Sequence, residues 1–262
     1  MGSSTICPAT GLNLVASSGQ SIFRVARTQY GAINPPPRVP GRDAVEDWSR
    51  WDTPGRTVYG CVTAVGAFVE VLEYIRPDPP RTPMAELFDD VDDDDAATLA
   101  EQIARELPAH GAMAYRSIPQ AWRQIRSLYE LRLPRDGWFV DICGAESISV
   151  LTEQLGSTVL ADCGIDQLTL SELTSSSEDF KALTTGIATW VRDTVQLFDG
   201  HRPHGIVYPS KWGSTLTNFA MWLRRTDDQT GSDDIEAIET TTIGLHTKSF
   251  VDAAKLRGMK TF

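Results

Sequence analysis

The sequence predicts a mixed α+β fold built as a single domain. Segments with the short apolar runs of strands alternate along the chain with segments whose apolar residues recur at helical spacing. Hydrophobic residues make up 41% and charged residues 23% of the 262 residues, which is the composition of an ordinary globular core. No internal repeat and no clear linker divides the chain, so one domain is the economical interpretation.

The first part of the chain alternates loops, strands and one helix. Residues 1–20 are small and polar, which indicates a flexible lead-in. Strands are expected at residues 22–26 and 57–62, separated by a proline-rich loop that cannot join a central strand. Apolar residues at helical spacing predict a short helix over residues 64–74.

An acidic insert is expected at about residues 76–98. Prolines precede a run rich in aspartate at residues 89–95, a pattern typical of a solvated loop or a helix N-terminus. A calcium-binding loop is a more specific interpretation, but the glycine that such a loop needs at its tight turn is missing. Helices are then expected over residues 97–107 and around residues 118–127.

The second half again mixes both kinds of element. The expected strands are residues 138–142, 205–210, 218–223 and one near 240–243. The expected helices are residues 148–155 and a long amphipathic one over 180–198, with a connector at 168–173. The main domain therefore covers residues 21–225, and residues 226–262 form a C-terminal extension.

Net charge limits the classes of partner. The chain carries 35 acidic and 24 basic residues, for a formal charge of −11 at pH 7. A broad nucleic-acid-binding face would need clustered Lys and Arg, so nucleic acid is not expected as a partner of this chain. A few arginines inside a cleft are still sufficient to bind a pyrophosphate.

Cysteine usage and the absence of targeting signals predict a cytoplasmic protein. The N-terminal residues carry neither the basic stretch nor the apolar block of a secretory signal, and no apolar run is long enough to span a membrane. Cys7, Cys61, Cys143 and Cys163 lie far apart without a CxxC pair, which suggests neither a zinc site nor a disulfide framework.

Six short stretches stand in an order and at a spacing that make their combination specific. They are Phe23-Arg24-Val25, Ser49-Arg50-Trp51-Asp52, Val58-Tyr59-Gly60, Gly66-Ala67-Phe68-Val69-Glu70, Gly205-Ile206-Val207-Tyr208-Pro209-Ser210 and Asn218-Phe219-Ala220-Met221-Trp222. Over about residues 23–223 they resemble the RES domain, a family named for an Arg, a Glu and a Ser. Ser49 stands where the family has Gly, Gly60 stands where it has a larger residue, and the acidic insert is not a family feature.

The resemblance implies a fold and an activity. RES domains resemble ADP-ribosyltransferases, so it implies an ADP-ribosyltransferase-like β core flanked by helices. Members degrade NAD⁺, often as toxins neutralised by a helix-turn-helix antitoxin protein. For this chain the resemblance implies cleavage of the nicotinamide–ribose bond, with NAD⁺ as substrate and no separate cofactor. The insert and the extension could occlude the cleft, bind a partner or join a homo-oligomer.

Glu70 and Arg24 are the main catalytic candidates. Breaking the nicotinamide–ribose bond builds positive charge on the ribose, and a carboxylate beside that centre stabilises it. Without the resemblance, Glu70 would be interpreted as a surface glutamate on a helix. Arg24 interrupts an apolar strand, where an unpaired charge is costly; it suits a pyrophosphate clamp, and a buried salt bridge is the simpler alternative.

Four further residues complete the candidate site. Arg50 fits the same pyrophosphate clamp. Tyr59 precedes Glu70 on the neighbouring strand and could stack on the nicotinamide ring, or it could be a core tyrosine. Ser210, a third catalytic candidate, and Asn218 could hydrogen-bond the carboxamide or the ribose, although a serine in a turn is common.

Two other functions remain open at this point. ADP-ribose could be transferred to a protein, a nucleic acid or a small molecule, since Glu70 would serve that reaction as well. The domain could also bind a nucleotide or a partner protein with little or no catalysis. No Rossmann or P-loop motif supports a dehydrogenase or an ATPase.

Overall fold

A nine-stranded mixed sheet organises the computed structural model, which describes residues 2–72, 75, 98, 101, 116–175 and 177–262. The sheet strands are β1 Ser4–Ile6, β2 Asn13–Ala16, β3 Ser21–Arg27, β4 Thr57–Cys61, β6 Arg126–Arg132, β7 Trp138–Asp141, β8 Gly205–Ser210, β9 Gly213–Trp222 and β10 Glu236–Thr242. Their order across the sheet is β1-β2-β7-β8-β9-β4-β3-β6-β10. Only the β7–β8 pair is parallel among these neighbours. A separate parallel pair joins β5 Ser117–Ile118 to β11 Lys260–Thr261.

Helices of very different lengths accompany the sheet. The described α-helices are α1 Ala64–Leu72, α2 Gln120–Gln124, α3 Ala145–Leu155, α4 Leu170–Thr174, α5 Lys181–Asp193, α6 Arg224–Asp227 and α7 Lys248–Leu256. Short 3₁₀ turns lie at Thr28–Tyr30, Val45–Asp47 and Glu178–Phe180. The mixture of a large sheet with interspersed helices confirms the α+β class. No helix within the described ranges is both long and apolar enough to cross a bilayer.

Three apolar clusters make up the core. In the first, α3 and α5 pack on β2, β7, β8 and β9 together with Trp51 and Tyr208. In the second, α1 and α7 pack near the ends of β3, β4 and β6. The third unites side chains such as Val58, Phe139 and Phe219. Tyr59 packs against the first cluster and Cys61 belongs to the second, so the boundary between the two runs along β4.

The N-terminal twenty residues differ from the expected flexible lead-in. They contain β1 and β2, and β2 pairs with β7 inside the main sheet. Cys7, Leu12 and Leu14 are completely buried. The short apolar run at residues 14–16 is too small to stand out in the sequence, but its pairing with β7 supplies the hydrogen bonds and the burial that hold it.

In the middle of the chain, the structure differs from the sequence-based predictions at two places. The helix expected around residues 118–127 is limited to α2, and β6 begins at Arg126 between β3 and β10. Pairing on both sides outweighs the local helical pattern there. The connector at 168–173 contains α4, capped by a reciprocal pair in which Thr169 Oγ1 accepts from the Ser171 N–H and Glu172 accepts from the Thr169 N–H. The helix expected over 97–107 and most of the acidic insert lie outside the described residues.

The C-terminal extension is built into the same fold. β10 pairs with β6 and extends the sheet, while α7 packs directly on α1. The ring of Phe250 on α7 lies 5.5 Å from that of Phe68 on α1, centroid to centroid, and is completely buried. The extension therefore supports the helix that carries Glu70.

Candidate functional site

A cavity of about 510 Å³ lies where the first two core clusters meet. Part of its wall is one row of side chains across the sheet. Tyr208 on β8 pairs with Asn218 on β9, Asn218 with Cys61 on β4, and Cys61 with Phe23 on β3. Paired residues on neighbouring strands project to the same face, so this row lines the cavity together. Other parts of the wall come from α1, the segment 47–50, the 3₁₀ turn Glu178–Phe180 and α5.

Five of the six predicted site residues line this cavity. They are Arg24, Arg50, Tyr59, Glu70 and Asn218. They come from β3, the turn before β4, β4 itself, α1 and β9. These segments are separate in sequence, and only the pairing of the strands and the packing of α1 bring them together. Ser210 is buried but is not part of the cavity wall. It lies at an irregularity in the β8–β9 register, where its Oγ accepts from the Trp212 N–H at 3.0 Å.

Glu70 reaches the cavity because α1 packs closely against β4. A Cβ atom on Gly66 would lie 2.2 Å from Cys61 Sγ, so only glycine permits this approach. Thr63 Oγ1 accepts from the Gly66 N–H at 3.0 Å in the first turn. Ala67, Glu70 and Val71 then share the helix face that lines the cavity.

Asn218 orients the Glu70 carboxylate. The Asn218 Nδ2 group donates a hydrogen bond to Glu70 Oε1 at 2.9 Å. Asn218 is only 3% exposed, so its amide is fixed by the surrounding sheet. Glu70 Oε2 makes no hydrogen bond within the described part of the chain and is left to face the cavity. The predicted role of Asn218 was ligand binding, whereas its visible contact is with Glu70.

Arg24 is a half-buried cation without a charge partner in the described part of the chain. It forms no hydrogen bond or ion pair with any described residue, and its Nε is sealed from solvent. Burial lowers the pKa of the guanidinium to about 10, an effect that the nearby Tyr59, Asp52 and Tyr129 partly oppose. The buried salt bridge that would explain Arg24 as a structural residue is therefore absent from the described ranges. An anion entering the cavity would supply the missing partner.

Arg50 is held by the C-terminal end of α4. Its Nη1 donates to the carbonyl oxygens of Thr174 at 2.8 Å, Leu173 at 3.3 Å and Ser175 at 3.4 Å, at the C-terminal end of α4. The guanidinium carbon lies 5.1 Å from the centroid of the Tyr208 ring. Arg50 is thus oriented by the chain before any ligand is present, and its remaining N–H groups are available to an anion.

Tyr59 is fixed by a carboxylate that sequence reasoning did not assign to the site. Its hydroxyl donates to Asp52 Oδ1 at 2.8 Å and accepts from the Trp51 N–H at 3.2 Å. Asp52 Oδ2 also accepts from Arg38 Nε at 2.7 Å and from the Ser49 N–H at 2.8 Å. Burial, together with Asp52, raises the pKa of the Tyr59 phenol well above its ordinary value. Asp52 belongs to one of the six stretches quoted from the sequence. Only the structure shows that it is buried and that its hydrogen bonds hold the turn before β4.

Two of the three departures from the RES pattern, Gly60 and Ser49, line the cavity. A Cβ atom on Gly60 would lie 2.6 Å from Ile22 Cδ1 and 3.2 Å from the Phe23 carbonyl oxygen, so glycine accommodates the close approach of β3 and β4 here. Ser49 uses its backbone N–H to bind Asp52, a contact that glycine would make equally well.

The cavity also contains charged residues that were not predicted. Lys181 and Lys211 join Arg24 and Arg50 on its wall, while Asp47, Glu70 and Glu178 are its acidic members. Lys181 Nζ donates to the carbonyl oxygen of Glu46, and Lys211 lies 4.9 Å from the centroid of the Trp212 ring. Basic groups therefore outnumber acidic groups in this cavity although the whole chain is acidic.

A second cavity is more open to solvent than the first. It measures about 680 Å³ and lies between the 3₁₀ turn Val45–Asp47 and α5. None of the six predicted residues lines it. The first cavity, which contains the oriented Glu70 carboxylate and an arginine without a partner among the described residues, is the candidate site.

No family model, curated protein or solved structure matches this chain. The resemblance to the RES domain accordingly rests on the six quoted stretches alone.

Proposed function

We propose that this protein is an enzyme that cleaves the nicotinamide–ribose bond of NAD⁺, with water or inorganic phosphate as acceptor, in a domain with an ADP-ribosyltransferase-like core. The observation that supports it is the meeting of Glu70, oriented by Asn218, with the unpaired Arg24 in one cavity. A carboxylate for a developing cation and a cation for a pyrophosphate are the two charges that this substrate requires.

Glu70 would act on the ribose. As the glycosidic C–N bond breaks, its electron pair leaves with the nicotinamide nitrogen, which becomes neutral. The ribose carbon becomes an oxocarbenium-like centre, and the free Oε2 of Glu70 stabilises its charge. Water or phosphate then forms the new C–O bond at that carbon; a water molecule releases one proton to solvent. The asparagine contact keeps the carboxylate in place, so little reorganisation is needed during the reaction.

Arg24 and Arg50 would bind the pyrophosphate, and Tyr59 would border the nicotinamide ring. Guanidinium groups match phosphate oxygens in geometry and keep their charge. The Tyr59 hydroxyl is already bound to Asp52, so its ring face is the part available to a ligand.

The direct test is incubation of the purified protein with NAD⁺, with and without phosphate, followed by separation of the products. Nicotinamide plus ADP-ribose is expected from hydrolysis, and a phosphorylated ADP-ribose from phosphorolysis. Nicotinamide released only when a macromolecular acceptor is added would instead identify an ADP-ribosyltransferase. NAD⁺ that binds but stays intact under all three conditions would overturn the enzymatic proposal in favour of a binding module.

A further inference from the structure

Two tyrosines line the cavity, and their hydroxyl groups differ in whether they have hydrogen-bond partners. Tyr59 on β4 and Tyr208 on β8 flank β9, and both pack against the first core cluster. The Tyr59 hydroxyl uses its proton on Asp52 and one lone pair on the Trp51 N–H. It has no proton left for a ligand.

The Tyr208 hydroxyl has no such partner. Tyr208 makes no hydrogen bond with any described residue; its contacts are the Trp51 ring, 5.7 Å away between centroids, and the Arg50 guanidinium. The residue is only 8% exposed, yet its oxygen is not among the polar atoms sealed from solvent. A buried tyrosine ordinarily finds a hydrogen-bond partner for its hydroxyl. Because Tyr208 lines the cavity, the open side of this oxygen faces the cavity.

The neighbours of Tyr208 indicate which part of a ligand would meet it. Arg50 lies over its ring, and Asn218, its partner across the β8–β9 ladder, binds Glu70. The residue therefore stands between the proposed pyrophosphate-binding arginine and the proposed ribose-binding carboxylate. Burial raises the pKa of the phenol, with Arg50 opposing and Glu70 adding to the shift, so the hydroxyl keeps its proton at neutral pH and can donate.

We propose that Tyr208, rather than Ser210, is the hydroxyl that β8 contributes to the ligand, donating a hydrogen bond to a sugar or phosphate oxygen of the nucleotide. This assignment rests on the proposed function for the identity of the ligand. Ser210 does not serve this role because it lies outside the cavity wall, where its Oγ accepts from the Trp212 N–H.

The experiment compares Tyr208→Phe with Ser210→Ala and Tyr59→Phe. Binding is measured by calorimetry with ADP-ribose on each variant, and with NAD⁺ on the same variants in a Glu70→Gln background to prevent turnover. We expect Tyr208→Phe to weaken both ligands by about 5- to 10-fold, the value of one lost hydrogen bond. Ser210→Ala should leave both affinities within about twofold of the parent protein.

A ligand-free measurement accompanies the binding data. Because the Tyr208 hydroxyl has no partner in the described chain, Tyr208→Phe should leave the melting temperature unchanged or raise it, whereas Tyr59→Phe should lower it. A melting temperature that falls in Tyr208→Phe as much as in Tyr59→Phe would make this hydroxyl a structural group and overturn the proposal.

The remaining outcomes separate this proposal from the proposed function. If the parent protein binds the nucleotides and Tyr208→Phe binds them equally well, Tyr208 is excluded and the proposed function stands. If Ser210→Ala alone loses affinity, the role returns to Ser210. If the parent protein binds neither ADP-ribose nor NAD⁺, the proposed function fails and the assignment of Tyr208 fails with it.

Discussion

At the scale of single residues, the cavity combines polar groups whose hydrogen bonds are complete with polar groups that still lack a hydrogen-bond partner. Asn218 donates its hydrogen bond to Glu70, and the Tyr59 hydroxyl donates its hydrogen bond to Asp52. Arg24 lacks any partner among the described residues, and Glu70 retains a free oxygen. Unsatisfied buried groups cost stability, so they are expected where a ligand completes them.

Replacing Glu70 by Gln should abolish turnover while binding is kept. The substitution removes the charge that stabilises the ribose cation but preserves the shape and the acceptor oxygen for Asn218. Nicotinamide release should fall by about 100-fold or more, with little change in the affinity for NAD⁺. Glu153→Gln, at an exposed position of α3, is the matched control and should behave as the parent protein. Parent-like rates in Glu70→Gln would remove this carboxylate from the mechanism.

Replacing Arg24 by Met should weaken the binding of NAD⁺ without lowering the stability of the fold. Loss of the guanidinium should weaken NAD⁺ binding by about 10-fold or more, since hydrogen bonds to charged groups contribute about 1.5–3 kcal/mol. The melting temperature should stay constant or rise, because the substitution removes a charge whose Nε is sealed from solvent and which has no partner among the described residues. Arg27→Met, on an exposed residue of the same strand, is the control for both measurements. A large drop in melting temperature with unchanged affinity would assign Arg24 a structural role.

At the scale of elements, the turn before β4 is the part that the site depends on most. Asp52 is 4% exposed and ties together Arg38, the Ser49 N–H and the Tyr59 hydroxyl. One carboxylate therefore fixes the turn that presents Arg50 and the strand that presents Tyr59. The motif quoted from the sequence contains these residues, but only the folded turn brings Asp52 to Tyr59.

Asp52→Asn and Tyr59→Phe should each destabilise the protein and should not be additive. Tyr59→Phe loses one hydrogen bond and should cost about 1 kcal/mol of unfolding free energy. Asp52→Asn removes the charge that pairs with Arg38 and leaves one acceptor oxygen for three donors, namely Arg38, the Ser49 N–H and the Tyr59 hydroxyl, so it should cost about 2 kcal/mol. Urea unfolding of the two single variants and the double variant should give a coupling energy of about 0.5 kcal/mol or more. Strict additivity would mean that the short contact between the two side chains does not contribute to stability.

At the scale of the whole molecule, the C-terminal extension is part of the domain rather than an appendage. It contributes the edge strand β10 and the helix α7, which packs on α1. Because α1 also carries Glu70, the last part of the chain supports the site through this helix.

Phe250→Ala should therefore destabilise the domain. Phe250 is completely buried against Phe68 and Trp122, and deleting such a ring costs about 3–5 kcal/mol. Leu256→Ala on the same helix is the control, since Leu256 is 71% exposed and should change stability by less than about 0.5 kcal/mol. Thermal unfolding followed by circular dichroism measures both variants. Equal melting temperatures for the two would show that α7 does not hold α1 in place.

Periodicity was sufficient for the elements that have a strong local pattern. It predicted β3, β4, β7, β8, α1, α3 and α5, with ends that differ by a few residues. It failed for β6, where a segment expected to be helical is paired on both sides, and for β2, a short strand that depends on β7. In both cases the deciding contacts are with residues far away in sequence.

The sequence by itself determined the α+β class, most of the elements and the residue types that chemistry on NAD⁺ would need. Only the tertiary structure decided which of them meet. It brought Arg24, Arg50, Tyr59, Glu70 and Asn218 to one cavity, placed Ser210 outside it at a register irregularity, and left the Tyr208 hydroxyl without a hydrogen-bond partner among the described residues. The physical reason is that periodicity reports neighbours within one element. Strand register, close approaches such as that at Gly66, and the pairing state of a buried polar atom depend on contacts between elements.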